Sequence, residues 1–358
     1  MTIRVGHVGT GNAGRIGLTQ LIEDPRFELV GLCVSTPEKV GRDAGELAGA
    51  GVHTGIAAVH TLDELIAAGP ECVVYCAMGD IRPVEAFEDC RRLLAAGIDV
   101  VGTSPVGLVY PWGVMPDKAI DKLQATAREA GTSIFISGVD PGFANDLLPF
   151  ALAGTCQRVE QVRCMELADY ATYDGAAVMF EVMGFGKPLE ETPMLFLPGV
   201  LGMAWGTTLQ ILAKGFGVTI DEVLERHESE PAPESFDIAA GRIEKGTRAA
   251  VRFEIVGVVE GREAIVVEHV TRLRPDLRPD WPRPHHGEGA YRVEITGEPS
   301  YVVDVTPSST RGDHNHAAIA AGVSRVVNAI PAVRRAEPGI HTTLDMPLIT
   351  GPGLTAPR

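Results

Sequence analysis

Three glycines near the start of the chain have the spacing of a phosphate-binding turn. Residues 5–15 read Val-Gly-His-Val-Gly-Thr-Gly-Asn-Ala-Gly-Arg, a GxGxxG pattern directly after an apolar stretch. The first glycine permits a tight turn, the second lets a pyrophosphate approach, and the third lets helix and strand pack closely, with the phosphates at the helix N-terminus. The pattern predicts dinucleotide binding, with a purely structural turn as the alternative; the expected contacts are Gly9, Thr10, Gly11, Asn12, Ala13, Gly14 and Arg15.

The tip of the second predicted strand indicates which dinucleotide is bound. An acidic residue there would accept a hydrogen bond from the ribose 2′-hydroxyl of NAD. This tip has no acid; Ser35 and Thr36 offer hydroxyls, and Lys39, Arg42 and Arg15 offer positive charge. These groups favour a 2′-phosphate and therefore NADP, with NAD as the alternative cofactor. The other interpretation of the basic residues is that they are solvated helix ends.

Two loops follow the third and fourth predicted strands, at the edge where open α/β sheets bind ligands. Their small residues leave room for the nicotinamide ribose. The expected contacts there are Ala77, Met78, Gly79, Thr103 and Ser104.

Hydride transfer with such a cofactor also requires a proton donor from the protein. Tyr173 is the first candidate and Asp140 the second; packing of the tyrosine and a turn or cap at the aspartate are the alternatives. Residues 179–205 are rich in methionine and aromatic side chains, which suits either an apolar substrate cavity or an ordinary core or dimer interface. The expected pocket residues are Val106, Tyr110, Phe143, Asn145, Tyr170, Met179 and Met183. No metal is expected, because the histidine pairs lack helical ligand spacing.

The elements that must position these residues fall into two patterns. Strands alternate with helices up to residue 137, which predicts an α/β fold with an N-terminal Rossmann domain, a doubly wound parallel sheet. Period-two segments then predict an α+β C-terminal domain containing an antiparallel sheet. The expected domains are 1–140 for the dinucleotide, 141–311 for substrate and dimerisation, and 312–358 as a helix and tail returning to the Rossmann domain.

Several elements of the second half are predicted individually. Strands are expected at 158–167, 249–259, 263–273 and 291–305, and helices at 174–186 and 200–216. The proline-rich segment 274–284 is predicted to be a stiff, extended loop, serving as a connection, a loop over the active site or an arm to a neighbouring subunit. Asp313 or Asn315 should cap a last helix that runs to Ala329 and is ended by Pro331.

Composition excludes some partners. The net charge is −16 and the pI about 5.1, which argues against nucleic acid or an anionic membrane surface. Residues 193–213 carry no charge, but prolines, glycines and polar residues interrupt them, so a membrane span is not expected. Six scattered cysteines without CxxC spacing, and a start that already reads as a strand, predict a cytoplasmic protein.

Several segments together resemble a known family. They are the glycine turn, residues 35–47, Val-Tyr-Pro-Trp at 109–112, Gly-Val-Asp-Pro-Gly-Phe at 138–143 and Val-Asn-Ala-Ile-Pro at 327–331. The chain resembles dihydrodipicolinate-reductase-like proteins, in particular 2,4-diaminopentanoate dehydrogenases and native amine dehydrogenases. The resemblance implies a Rossmann domain with an α+β domain, a homodimer, and nicotinamide-dependent reductive amination or its reverse.

The chain departs from that family pattern in two places. Residues 166–173 lack the His-His pair, the lysine and the Ser-Gly-Thr of dihydrodipicolinate reductases, so lysine biosynthesis is not expected. The catalytic glutamate of the amine dehydrogenases is missing before Tyr110, with Val106 near its place. The leading hypothesis is an NADP(H)-dependent oxidoreductase acting on a C=N or C=O carbon of a small, fairly apolar substrate. The alternative is a non-catalytic NADP(H)-binding sensor or regulatory protein.

Overall fold

The computed structural model describes residues 2–79 and 82–354. These residues form two compact units. The first unit comprises Met1–Gly142 together with Ile319–Arg358, and the second is Phe143–Ala318.

The first unit is built on a six-stranded parallel sheet with the strand order β14-β5-β4-β3-β1-β2. Its strands are Ile3–Val8 (β1), Phe27–Cys33 (β2), Cys72–Tyr75 (β3), Asp99–Gly102 (β4), Ser133–Ile136 (β5) and Gly339–His341 (β14). Its helices are Asn12–Glu23 (α1), Ala44–Ala48 (α2), Leu62–Ala67 (α3), Pro83–Ala95 (α4) and Asp117–Ala130 (α5). Strands β3, β4 and β5 are buried throughout, as expected for a parallel sheet covered on both faces.

The order of strands reverses between β1 and β3. From β1 the chain passes to β2 on one side, and β3, β4 and β5 then follow on the other side. A crevice outside the carboxyl ends of strands at such a switch point is where open α/β sheets bind ligands. The glycine turn after β1 lies at this point, so the predicted Rossmann arrangement is confirmed.

The second unit is built on a six-stranded mixed sheet with the order β13-β12-β6-β11-β10-β7. Its strands are Arg158–Asp169 (β6), Glu222–Pro231 (β7), Arg248–Val259 (β10), Arg262–Arg272 (β11), Gly289–Glu298 (β12) and Tyr301–Val305 (β13). The β6–β11 pair is parallel and the other pairs are antiparallel. A small hairpin is formed by Phe236–Ile238 (β8) and Gly241–Ile243 (β9), and the helices are Leu147–Ala153 (α6) and Val200–Phe216 (α7).

Three expectations for this unit are wrong in detail. Residues 291–305 form two strands, because Pro299 removes a ladder donor and Ser300 closes a turn by accepting a hydrogen bond from the Gly297 N–H at 3.1 Å. Residues 174–186 contain only a short π-helical segment, Ala177–Val182. The segment 274–284 is not extended: it folds back in turns, and Trp281 is buried in the apolar core of the unit.

The last helix, His314–Val333 (α8), begins in the second unit and ends in the first. Pro331 does not end it: the helix continues to Val333, and the Arg334 N–H donates to the Ile330 carbonyl at 3.0 Å. A proline in the last turn removes only one donor. By length and composition this helix could cross a membrane, but Val326 and other residues of its apolar face are buried in the core of the first sheet.

Candidate active site

The glycine turn has the geometry that a close-lying phosphate group requires. Gly9 has a φ of +96°, and a Cβ there would lie 2.9 Å from the backbone nitrogen of Ala77. A Cβ on Gly14 would lie 2.4 Å from the carbonyl oxygen of Gly9. A Cβ on Gly11 would meet nothing within 4 Å. Gly9 and Gly14 are therefore required by the fold itself, whereas the fold leaves open space at Gly11.

Lys39 lies at the same turn. Its ammonium group donates to the Thr10 hydroxyl at 2.9 Å and to the Thr10 carbonyl at 3.2 Å. Ser35 and Thr36 are exposed at the end of β2. Arg15 sits in the first turn of α1, where its guanidinium donates to Asn12 at 3.3 Å. Lys39 thus lies against the glycine turn, and Ser35 and Thr36 are exposed at the end of the strand whose Cys33 carbonyl accepts the Gly9 N–H at 2.9 Å.

The loops after β3 and β4 meet each other. The backbone N–H of Gly79 donates to the Ser104 hydroxyl at 2.9 Å, and that of Thr103 donates to the Tyr75 carbonyl at 3.1 Å. Ser104 is buried, Ala77 and Thr103 are half-buried, and Met78 is 54 % exposed. The two loops therefore form one continuous edge beside the glycine turn, since a Cβ on Gly9 would touch Cys76 and Ala77.

His7 lies beside the glycine turn, although no sequence motif marks it. Its side chain is fully buried directly before the turn, and Cβ atoms placed on Gly14 or Gly17 would lie within 3.6 Å of its ring. Burial lowers the pKa of His7 to about 3, against a weaker opposing effect of the Gly9 backbone. The neutral imidazole therefore packs against α1 at Gly14 and Gly17 without adding charge. A histidine inside an apolar strand is the signal that could have revealed it.

The remaining predicted residues of the first unit lie after β4 and β5. Val106 is half-buried and begins a short 3₁₀ turn, Val106–Leu108. Tyr110 packs edge-to-face on Trp112, with ring centroids 5.0 Å apart, and burial raises its pKa. Asp140 is half-buried in a turn closed by a bridge between Val139 and Gly142.

The mixed sheet of the second unit carries a row of aromatic and titratable side chains. Register pairs Tyr291 on β12 with Glu166 on β6, and Glu166 with His269 on β11. His269 is paired in turn with Phe253 on β10, and Phe253 with His227 on β7. Paired residues project to the same face of a sheet. This cross-sheet row therefore occupies one face over five neighbouring strands.

Glu166 is the carboxylate at the centre of the cross-sheet row. It is 9 % exposed and accepts a short hydrogen bond from the Tyr170 hydroxyl. His269 Nδ1 lies 4.0 Å from the Glu166 carboxylate. Burial and the adjacent Glu166 raise the pKa of Tyr170 well above its usual range, so its hydroxyl stays protonated. No sequence motif marks this cluster, because only the register of β6 and β11 brings Glu166 and His269 together.

Aromatic rings surround the histidine of this cluster. Phe253 stacks on His269 with centroids 4.7 Å apart, and Trp205 of α7 meets it edge-on at 4.6 Å. Trp205, at the end of the segment rich in methionine and aromatic residues, thus lies beside His269.

The loop after β6 holds the predicted proton donor Tyr173. Its backbone N–H donates to the Tyr170 carbonyl at 3.0 Å, and the two rings lie 5.6 Å apart. Burial raises the pKa of Tyr173, assisted by nearby Asp174 and Glu166. Asn315 fixes the loop from α8 by donating to the Asp169 carbonyl at 3.1 Å and to Thr172 at 2.9 Å.

The other predicted pocket residues of this unit differ in how deeply they are buried. Asn145 is buried and Phe143 is half-buried. Met179 and Met183 are both buried in the apolar core. His285 Nδ1 lies 3.2 Å from the Asp304 carboxylate, and His314 Nε2 lies 2.6 Å from the Asp169 carbonyl oxygen.

A Rossmann sheet with a glycine turn at its switch point and an α+β unit beside it in the chain is typical of nicotinamide-dependent oxidoreductases. The sequence profile of the 2,4-diaminopentanoate dehydrogenase C-terminal domain matches residues 143–352. An amine dehydrogenase of Streptomyces virginiae is 39 % identical over 344 residues, which cover 95 % of either chain. The chain therefore belongs to the family of 2,4-diaminopentanoate and amine dehydrogenases, and it is an NAD(P)-dependent oxidoreductase.

Two further comparisons agree with this assignment. A 2,4-diaminopentanoate dehydrogenase of Acetoanaerobium sticklandii is 26 % identical over 270 residues, covering 74 % of this chain and 70 % of the relative. The solved amine dehydrogenase from Mycobacterium smegmatis shares the fold, with a TM-score of 0.79 at 20 % identity and coverage of 98 % and 97 %.

Proposed function

We propose that the protein transfers a hydride between NADP(H) and a C=N or C=O carbon of a small, fairly apolar substrate, with an amine as the reduced product. The cofactor supplies the hydride, and the protein supplies position, exclusion of water and protons. The 39 % identical amine dehydrogenase supports the amine product. The aromatic rings around His269 support an apolar substrate.

The observation that carries the choice of NADP(H) is the position of Lys39. Its ammonium group lies at hydrogen-bond distance from Thr10 in the glycine turn, and no acidic side chain occupies positions 34–36 at the end of β2. A carboxylate at this place would repel a 2′-phosphate, whereas a lysine attracts it. We therefore assign Gly11 and Thr10 to the pyrophosphate side, and Ser35, Thr36, Lys39 and Arg15 to the 2′-phosphate.

Reduction of a carbonyl oxygen requires a proton, for which we propose Tyr173 and, as second candidate, Asp140. The Tyr173 hydroxyl is protonated at neutral pH, as a donor must be; burial raises its pKa, so it gives up the proton only to the strongly basic oxygen formed during hydride transfer. Replacement of Tyr173 by Phe retains the ring and removes the hydroxyl group that would give the proton. We expect a fall in kcat of roughly 100-fold with little change in NADPH affinity.

We propose a cytoplasmic homodimer. All six cysteines are free thiols, which fits a reducing compartment. Light scattering on the purified protein tests the dimer directly.

The experiment that tests the proposed function is a substrate panel. Small apolar ketones, with and without ammonium, and the corresponding amines are incubated with NADPH or NADP⁺, and NADPH absorbance is followed. We expect turnover that requires both the apolar carbonyl compound and ammonium. Tight NADPH binding without turnover of any member of the panel would contradict the proposal.

A further inference from the structure

Residues 169–175, the tyrosine loop, carry Tyr173 and are held by the residues at the start of α8. The Thr172 hydroxyl donates a short hydrogen bond to the Asp313 carboxylate. The same hydroxyl accepts a hydrogen bond from the Asn315 amide at 2.9 Å. A threonine hydroxyl has a single proton to donate. Because that proton is used on Asp313 and the oxygen also accepts, the side chain is fixed in one orientation, and the backbone next to Tyr173 is tied to α8.

The other end of the tyrosine loop lies against the ring of Tyr173. A Cβ atom on Gly175 would lie 2.4 Å from Cε1, 2.9 Å from Cζ and 3.0 Å from the hydroxyl oxygen of that ring. Gly175 does not have a left-handed φ, so its backbone conformation is open to alanine. The tyrosine ring, and not the backbone, therefore requires a glycine at this position.

The distance between the ring and the Gly175 backbone sets the position of the Tyr173 hydroxyl. Carbon atoms in contact lie about 3.5–4.0 Å apart. A Cβ that starts 2.4 Å from Cε1 must therefore push the ring away by about 1 Å. A displacement of about 1 Å in a reacting group lowers a rate by roughly 100-fold when the reaction depends on its alignment.

We propose that Gly175 and Thr172 are positioning residues for the Tyr173 hydroxyl. Gly175 lets the ring lie against its backbone, and Thr172 holds the preceding backbone at the start of α8. This inference rests on the proposed function, in which Tyr173 gives the proton. Both residues act on proton transfer through Tyr173 and not on the binding of the cofactor.

Gly175→Ala tests the contact with the ring. With the ketone and ammonium that the wild type turns over, G175A should lower kcat roughly 10- to 100-fold. The Kd for NADPH should change less than about threefold. The matched control is Gly154→Ala, at an exposed glycine of the same unit with a φ of −60°, where a Cβ would lie 3.4 Å from the nearest atom, the Phe150 carbonyl oxygen. G154A should behave as the wild type in both measurements.

Thr172→Val and Thr172→Ser separate the hydroxyl of this residue from its shape. Valine keeps the shape and removes the hydroxyl, whereas serine keeps the hydroxyl. We expect T172V to lower kcat roughly tenfold and T172S to stay within about twofold of the wild type, with the Kd for NADPH unchanged in both. T172V adds no atom beside the ring of Tyr173, so it tests the proposal even if G175A does not fold.

Combination with Tyr173→Phe distinguishes positioning of the hydroxyl from a general structural effect. If G175A and T172V act through that hydroxyl, neither should lower kcat more than about twofold in the Y173F background. Effects that multiply in the double variants, or a wild-type kcat in folded G175A and T172V, would overturn the assignment and leave the proposed function in place. A wild-type kcat in Y173F would instead contradict the proposed proton donor.

A last measurement does not depend on turnover. Crystal structures of the wild type and of folded G175A should show the Tyr173 ring moved by about 1 Å, with the hydrogen bond between Thr172 and Asp313 kept. An unmoved ring would overturn the role of Gly175. A moved ring, in a protein whose wild type turns over no member of the substrate panel, would support the positioning role and contradict the proposed function.

Discussion

Replacement of Lys39 by Ala isolates the contribution of the 2′-phosphate to cofactor binding. The ammonium group of Lys39 is 2.9 Å from the Thr10 hydroxyl, so a phosphate group at the edge of this turn comes within its hydrogen-bond reach. A hydrogen bond between charged groups contributes about 1.5–3 kcal/mol, and each 1.4 kcal/mol is a factor of ten in affinity. The Kd for NADPH should therefore rise roughly 10- to 150-fold in K39A. The Kd for NADH, which has no 2′-phosphate, should change less than about threefold.

The assay is titration of protein fluorescence with each cofactor at low and moderate salt. The control is Lys118→Ala, which removes an exposed lysine from α5 in the same unit. K118A should leave both dissociation constants unchanged. If K39A weakened NADPH and NADH equally, Lys39 would act on the part that the two cofactors share, and the reasoning from the 2′-phosphate would be refuted.

Three further predictions concern the scaffold of the two units. Gly11→Ala should leave the unfolding temperature unchanged, because its Cβ meets nothing within 4 Å. It should weaken NADPH binding at least about tenfold, because the added methyl group fills space that the pyrophosphate needs. Gly14→Ala should also lower the unfolding temperature, since its Cβ would lie 2.4 Å from the Gly9 carbonyl. Urea unfolding of Arg272→Ala should show a loss of about 3 kcal/mol or more, because the buried guanidinium donates to four carbonyls of the 277–282 loop; a loss below about 1 kcal/mol would contradict this role. The pKa of His7 is about 3 in the fold and about 6.5 when unfolded, so its contribution to stability is complete above pH 6.5 and is lost as the pH falls towards 3. Between pH 7 and 4 the free energy of unfolding should therefore fall by roughly 3 kcal/mol less in His7→Gln than in the wild type. Parallel pH profiles for the two proteins would refute the low pKa assigned to His7.

The sequence was sufficient for the parts of the fold that are encoded locally. The strand ending at Val8, the glycine turn and the helix α7 lie where the apolar pattern and the glycines predict them. Such elements are recognisable because the apolar pattern or the turn glycines that define each of them lie within its own residues. The proximity of Gly79 and Ser104 was also predictable, because the loops that follow adjacent parallel strands lie at the same edge of the sheet.

Other elements depend on distant partners and escaped prediction. Strand β7 reads Glu-Val-Leu-Glu-Arg-His-Glu-Ser-Glu-Pro. Its many charged residues do not form a strand-like sequence pattern, and the strand is defined by its pairing with β10. Charged side chains are common on such edge strands because they discourage pairing with other chains. The cluster of Glu166 and His269 likewise exists only through the register of two strands that are far apart in the chain. A single sequence does not fix that register.

The central claim is that this protein reduces an apolar carbonyl compound with NADPH and incorporates ammonium. The most direct measurement is the rate of NADPH consumption by the purified protein with a small apolar ketone and ammonium chloride, with the product identified by mass spectrometry. We predict NADPH consumption that requires both compounds and yields the amine. Binding of NADPH without consumption, over the whole panel of ketones, would contradict the claim and indicate a protein that binds its cofactor without catalysis.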